Sequence, residues 1–410
     1  MGPGWVARRA WYFAEKRLRL LERRLPLQSW ESITFGSLVP RNSTLDPETL
    51  LTRLRSKPQF FFSREGRARF QPFFKQWDKE DFSPIPAAER IAAGCFTFFS
   101  RHQLEVGLPP DWHKNPQTGE CAPVDIHWSR LNEFAYGDVK WIWELSRFSF
   151  VYTLVRAYWR TGDEHWPELF WRLVEDWAAK NPPQHGVNWK CGQEIAFRIM
   201  AWCFGLFGFL DAQATTPTRA ATLLRLLAVS AKRIEAHIGY ALSQQNNHGI
   251  SEAAGLWTVG ILFPELQDAL RWRERGQKEL ERLARELIYD DGGFSQHAIN
   301  YHRVMLEDYL WCIQLGKLNS QPLSSELRRR IQKAGEFVAH LMDPDSGRVP
   351  NWGANDGAHV LPLTNCEYLD CRPVVQTAAM IAGGERVLPA GPWDEQALWL
   401  GLDLSDSHPR

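Results

Sequence analysis

The sequence predicts an all-α fold of antiparallel helical hairpins, and three observations predict it. Apolar residues recur at helical spacing from about residue 91 to residue 382, strand-like alternation is scarce, and the Pro, Gly, Asn and Asp clusters between the apolar runs are short. Sequential helices joined by short loops pack as antiparallel neighbours, and such pairs build a bundle, a solenoid or a closed ring. No strict repeat of fixed period occurs, which counts against an ordinary solenoid and leaves a ring of diverged hairpins open.

Residues 1–85 hold basic amphipathic segments, the run Phe60-Phe61-Phe62 and the punctuation Phe82-Ser83-Pro84-Ile85-Pro86, and read as an N-terminal helical arm. The body, 86–388, carries candidate helices at 140–161, 166–180, 193–210, 218–243, 248–262, 276–288, 302–318 and 324–341. The most apolar run, 200–210, has about half of the roughly 20 residues a membrane-spanning helix needs, so it reads as a buried helix. A Pro-, Gly- and Asp-rich tail, 389–410, follows with no strand-rich region.

A chain of 410 residues exceeds the usual size of one compact core, so one large domain or two packed units is expected. Forty-eight basic residues balance 48 acidic ones, and 44% of residues are hydrophobic. The chain is therefore of the folded, soluble type, with no net charge to steer it to nucleic acid or anionic lipid. A local basic cleft for an acidic substrate stays open. Seven Cys without a CxxC pair do not form the framework of a small secreted domain, and no Cys/His cluster has zinc-site spacing; free thiols and no metal are expected. The first 28 residues place Arg or Lys in every turn, so no secretory signal is visible and the sequence alone points to the cytoplasm.

Five polar stretches between apolar helices stand out, because a scaffold fixes such residues while ligands reach them. In Gln244-Gln245-Asn246-Asn247-His248-Gly249 an Asn caps the following helix, or two amides and an imidazole at a helix N-terminus bind a carboxylate. In the stretch from Tyr289 to Arg303, Tyr301 stands beside His302 and Arg303; a phenol near cations loses its proton more readily, making Tyr301 a candidate acid or base, against a Tyr bonded to backbone. Pro350 to His359 is turn-rich, with Asn355 suited to a hydroxyl or a carboxylate. Lys140, Glu144 and Arg147 share one helix face, as a solvated ion ladder or a basic wall for a uronate or sulfate. Glu194 and Arg198 form a favourable helix pair, while Trp189 before them is placed to stack on a sugar ring. The tryptophans at 112, 128, 141, 143 and 352 are further candidates for stacking.

At these residues the chain resembles the heparinase II/III-like polysaccharide lyases, a group that includes alginate and oligoalginate lyases. The resemblance runs as an ordered series: Asp111-Trp112-His113-Lys114-Asn115-Pro116, the Gly137 to Arg147 stretch, Asn181-Pro182-Pro183, Asn188-Trp189, Asn246-Asn247-His248, Asn300-Tyr301-His302-Arg303 and Asn355-Asp356-Gly357. It implies an incomplete (α/α) toroid followed by a β-sandwich; no strand-rich region is seen before Arg410, so the expectation is either a fragment or shortened form, or another chain that completes the site. It implies β-elimination from a uronate-containing polysaccharide such as an exopolysaccharide, without metal or organic cofactor, and a periplasmic location. By the same resemblance Asn247 neutralises the uronate carboxylate, His248 helps it or is the base in some members, and Tyr301 is the catalytic acid and in some members also the base. Asn246, Trp189, Glu194, Arg198 and Arg303 match as supports or sugar contacts. Uronyl C5-epimerisation, which returns a proton instead of expelling the C4 oxygen, and non-catalytic binding of an acidic glycan are the alternatives.

Overall fold

A helix that is apolar on every face has to be buried on every face, and helices of this kind form the inside of the molecule. The computed structural model describes residues 3–56, 59–63 and 65–404. Its helices are α1 (Pro3–Arg17), α2 (Leu20–Arg24), α3 (Pro47–Ser56), α4 (Gln71–Lys79), α5 (Ile85–Ala92), α6 (Lys140–Ser146), α7 (Phe150–Thr161) and α8 (His165–Lys180). They continue as α9 (Gly192–Gly208), α10 (Pro217–Gln244), α11 (Asn247–Leu262), α12 (Ala269–Leu287), α13 (Ile299–Leu318), α14 (Ser325–Leu341), α15 (Arg372–Ala378) and α16 (Glu395–Trp399). Among the described residues one antiparallel hairpin, β1 (Cys95–Phe98) and β2 (His102–Glu105), is the only sheet.

The arrangement is an incomplete helical toroid. The inner helices α7, α9, α11, α13 and α15 each touch the next, and α8, α10, α12 and α14 lie outside them. Every residue of α9 is buried. In α12 the buried positions Ala269, Trp272, Gly276, Leu280, Leu283 and Leu287 follow one helical stripe, as an outer helix requires. Glycine sets the closest approach: a Cβ on Gly260 would lie 2.5 Å from the Arg273 backbone nitrogen, and one on Gly276 2.7 Å from that of Trp257. Because each inner helix is followed by an antiparallel outer one, the inner helices run in one direction and their N-termini share one end of the ring.

The helix expected at 140–161 is two helices. The chain breaks at Phe148, which adopts φ 59° while its ring stacks on Trp112 at 5.2 Å. The break ends α6 just before Arg147. The helices expected to start at 276 and 302 begin earlier, at Ala269 and Ile299.

Both ends of the chain enter the same core. Phe60 stacks on Phe207 of α9 at 4.5 Å, Phe61 meets Trp311 of α13, and Phe62 meets Trp399. The segment expected as a tail supplies α16, with Trp399 fully buried; residues 405–410 lie outside the described residues. Glu395 accepts two bonds from Arg156 of α7, at 3.0 and 2.7 Å, and one from Arg160 at 3.1 Å. Since α16 also packs on α15, it bridges the first and last inner helices.

Removing one partner of a buried ion pair leaves an uncompensated charge. Glu395→Ala is expected to cost about 3–5 kcal/mol in denaturant unfolding. Arg156→Met with Glu395→Met should cost distinctly less. Equal losses would mean that the pair does not join the ring as described.

Candidate active site

The end of the ring where the inner helices start carries the polar residues. Gln245, at φ 51°, stops α10, and Asn246 caps α11 through its Oδ1, which accepts from the His248 backbone N–H at 3.0 Å. In α11 every residue except His248 is buried. In α13 Tyr301 is the one residue before Lys317 that is not. Two inner helices otherwise sealed in the core therefore open to solvent at His248 and Tyr301.

The Asp356 carboxylate ties this end together. Its Oδ2 accepts from the Tyr301 hydroxyl at 2.8 Å and from Lys140 Nζ at 3.1 Å, and its Oδ1 accepts from Asn300 Nδ2 at 3.2 Å. Burial would raise its pKa, but the Tyr301 hydrogen bond, Lys140 and Arg147 outweigh it and hold the carboxyl below its ordinary value. The loop bearing Asp356 is pinned from both sides. A Cβ on Gly357, at φ 76°, would lie 2.1 Å from the Phe99 carbonyl oxygen, and Ser100 Oγ donates to the Gly357 carbonyl at 2.9 Å. Downstream, the buried Glu307 carboxylate accepts from the backbone N–H groups of Val360 and Leu361, and the His359 ring lies 3.1 Å from it.

The pKa of Tyr301 is raised well above that of a free phenol, by burial first and by the Asp356 carboxylate second. This overturns the expectation that its sequence neighbours make it acidic. His302 points away, into the core, with Nε2 on the Ala334 carbonyl at 3.0 Å, and burial lowers its pKa to about 4. Arg303 braces Tyr368: it donates to the Tyr368 carbonyl, and its guanidinium lies 4.2 Å from the ring centroid. The two sequence neighbours, a neutral imidazole and a guanidinium, point to other faces of the helix.

His248 is also lowered to about 4, by burial first, with Glu194 and Asp356 acting against it and Lys140 and Arg147 with it. The ring is neutral near pH 7. Its Nδ1 lies 3.9 Å from Cys191 Sγ, whose pKa burial raises to about 12. Asp356 and Arg147 thus act on both the imidazole and the phenol. Asn247 is buried; its backbone N–H donates to Gln296 Oε1 at 3.2 Å, while its side-chain Oδ1 has no partner. A buried amide left unsatisfied at such a place is the kind of exception that calls for a ligand.

Of the ion ladder expected on α6, Glu144 and Arg147 are buried, whereas Lys140 stays partly exposed and pairs with Asp356 instead. Arg147 donates to both oxygens of Glu194 and to Glu144, whose other oxygen accepts from the Phe99 N–H at 2.7 Å. Glu194 therefore holds Arg147 and does not pair with Arg198. Arg198 and Trp189, expected as sugar contacts, are 0% exposed and lie in the core. The Arg198 guanidinium donates to the carbonyls of Ser146 and Asn188 and sits 4.4 Å from the Trp177 ring centroid. Of the tryptophans marked for stacking, Trp112, Trp128 and Trp143 are buried as well, whereas Trp141 is half-buried and Trp352 exposed. Asn355 supports the loop, accepting from the Tyr368 hydroxyl at 2.7 Å and the Gly357 N–H at 3.1 Å.

Sequence reasoning did not single out Asp356, Tyr368, Gln296 or Cys191. Asp356 lies in a stretch read as turn chemistry, and its one distinguishing signal was its place beside Asn355 in the ordered series. A cavity of about 780 Å³ opens beside the cluster, lined by Glu144, Arg147, Gly357, His359, Tyr368 and Arg101 among others. Asn247, His248 and Tyr301 are not in its walls, whereas Arg147 and Tyr368 are. No group of three or more His, Cys, Asp and Glu side chains suited to a metal occurs among the described residues, and no described helix is long and apolar enough to cross a membrane.

A family model described as the heparinase II/III N-terminus matches residues 75–363. A heparin-sulfate lyase of Bacteroides thetaiotaomicron is 25% identical over 240 residues, which are 57% of this chain and 33% of that protein. A heparin-sulfate lyase of Pedobacter heparinus is 27% identical over 191 residues, 45% of this chain and 28% of that one. The chain spans about a third of the length of these curated relatives. The crystal structure of heparan sulfate lyase HepC from Pedobacter heparinus shares the fold, with a TM-score of 0.52 at 20% identity over 74% of this chain and 45% of that one.

A histidine held neutral by burial makes stability depend on pH. As pH falls through 6.5 the unfolded chain takes up a proton at position 302 that the folded chain refuses until about 4, so stability is lost across that window and levels off below it. By pH 4.5 the loss is roughly 2–3 kcal/mol. His302→Gln should lose that much less between pH 7 and 4.5, read from unfolding midpoints. Parallel pH profiles for the two proteins would contradict the buried neutral ring.

Proposed function

The chain belongs to the heparinase II/III family, and from that premise we propose that it is a polysaccharide lyase cleaving a uronate-containing acidic polysaccharide by β-elimination. The observation that carries the reading is the opening of α11 and α13 at His248 and Tyr301, with Asn247 beside them and Asp356 and Arg147 acting on both.

The chemistry requires the C5–H bond of a uronate to break, a C4–C5 double bond to form and the C4–O bond to break. Negative charge builds on the carboxylate as the C5 proton leaves, so a donor aimed there stabilises the transition state more than the ground state. Asn247 meets that need: a half-turn about χ2 brings its Nδ2 to the position of the unpartnered Oδ1, and the N-terminus of α11 adds its partial positive charge. The neutral His248 imidazole has a lone pair free to take the C5 proton. A bound uronate adds negative charge beside the ring and strengthens it as a base. Tyr301, protonated at every pH near neutral, turns its single O–H from Asp356 to the departing C4 oxygen and gives it that proton as the C4–O bond breaks. Asp356 orients the phenol, and Lys140 and Arg147 balance its charge.

Incubation with uronate polymers is expected to generate the ultraviolet absorbance of an unsaturated uronate. Tyr301→Phe and Asn247→Ala should each lower the rate at least ~100-fold while the helical circular dichroism is unchanged. Full activity in both variants would end the assignment. Deuterium entering at C5 without chain cleavage would identify an epimerase instead, and saturable binding without product would identify a glycan-binding protein. The charge of Asp356 has its own readout. Asp356→Asn removes the negative neighbour that helps hold the Tyr301 proton, so the alkaline limb of the pH–rate profile should move to lower pH; an unmoved or upward-shifted limb would exclude Tyr301 as the titrating acid.

A further inference from the structure

A second pocket, of about 290 Å³, lies against the start of α13. Its walls are Tyr289, Phe294, His302, Phe337 and Trp352, with Asp291 at the rim. Two of these rings face solvent, Trp352 at 44% and Tyr289 at 45% exposure, whereas most large aromatic side chains of the ring are sealed in the core. Large aromatics held in the open around a concavity are characteristic of a binding surface.

The pocket is rigid before anything binds. Ile299 N–H donates to the Trp352 carbonyl at 2.9 Å. Gly353, at φ 75°, passes so close that a Cβ would lie 2.4 Å from the His297 carbonyl oxygen. On the other wall Gly292, at φ 91°, leaves no room for a Cβ against the Lys333 carbonyl. His302 stacks on Phe337 at 5.4 Å, and its neutral state keeps that wall uncharged. The backbone of Trp352 is therefore held in place, and its ring lies 6.2 Å from that of Phe337.

We propose that this pocket is a subsite for an uncharged pyranose ring, with its apolar C–H face on Trp352 and its hydroxyls at Asp291 and His297. The proposal takes from the preceding reading only that the ligand is a glycan. No Lys or Arg lines the pocket, and Asp291 brings a negative charge, so a uronate is disfavoured where a neutral hexose or N-acetylhexosamine fits. The chain then recognises a glycan with uncharged residues alongside acidic ones. Ile299 in its wall lies two residues before Tyr301 in the chain and Trp352 four before Asp356, while neither Tyr301 nor Asp356 lines it.

Calorimetric titration of the intact chain with cellotetraose, N-acetylchitotetraose and a mannuronate tetramer tests this. At least one neutral tetramer should bind, Trp352→Ala should weaken it roughly tenfold, and Trp352→Phe should retain most of the affinity. The mannuronate tetramer should be little affected by Trp352→Ala. Absence of binding by both neutral sugars, equal affinity in Trp352→Ala, or an equal loss for the acidic tetramer would each overturn the proposal. Binding is read without turnover, so a chain that makes no unsaturated uronate leaves the result standing. Unchanged circular dichroism confirms that the variants are folded, as expected for an exposed side chain.

Discussion

The bonds converging on Asp356 hold the polar end of this molecule in one geometry. Three donors, Lys140 from one segment and the neighbours Asn300 and Tyr301 from another 160 residues on, meet on one partly buried carboxylate. A carboxylate in such a place is stable only if its charge is matched, and Lys140 and Arg147 match it. The same negative charge keeps the Tyr301 proton in place and acts against burial at His248. One interaction therefore fixes a loop, orients a phenol and adds to burial in keeping that phenol protonated.

That hub works because the toroid delivers the right ends. Inner helices buried on all sides can carry polar chemistry only at their termini, where backbone N–H groups are unsatisfied and solvent begins. Glu194, His248 and Tyr301 lie in the first turns of α9, α11 and α13, so one fold rule gathers residues from three hairpins. Arg147, set between Glu144 and Glu194, links α9 to the break that follows α6. The ring in turn is held by the Arg156–Glu395 pair and by Trp399, so the stability of its polar end depends on residues at its C-terminal side.

Much of the hairpin body was legible because apolar period and turn residues are local signals. Six of the eight expected helices lie within a few residues of their positions in the structure; the exceptions were the Phe148 break and the early start of α12. Side-chain roles were less legible. Trp189 and Arg198 sit in a polar stretch before an apolar helix, where sequence cannot separate a sugar platform from a cation packed among core tryptophans. Glu194 and Arg198 have the spacing of a helix pair, yet Arg147, 47 residues earlier in the chain, takes the carboxylate. For Tyr301, neighbours in sequence were taken as neighbours in space, whereas a helix turns consecutive residues about 100° apart.

Composition and periodicity by themselves determined an all-α body of helical hairpins, and the ordered motifs marked Asn247, His248 and Tyr301 as a set. These are consequences of local pattern, which the chain carries residue by residue. Only the tertiary structure decided which groups are charged, which are paired and which face solvent. Burial, Coulomb interaction and hydrogen bonding depend on distances between segments far apart in the chain, and the carboxylate of Asp356 gains its role from partners that no local window contains.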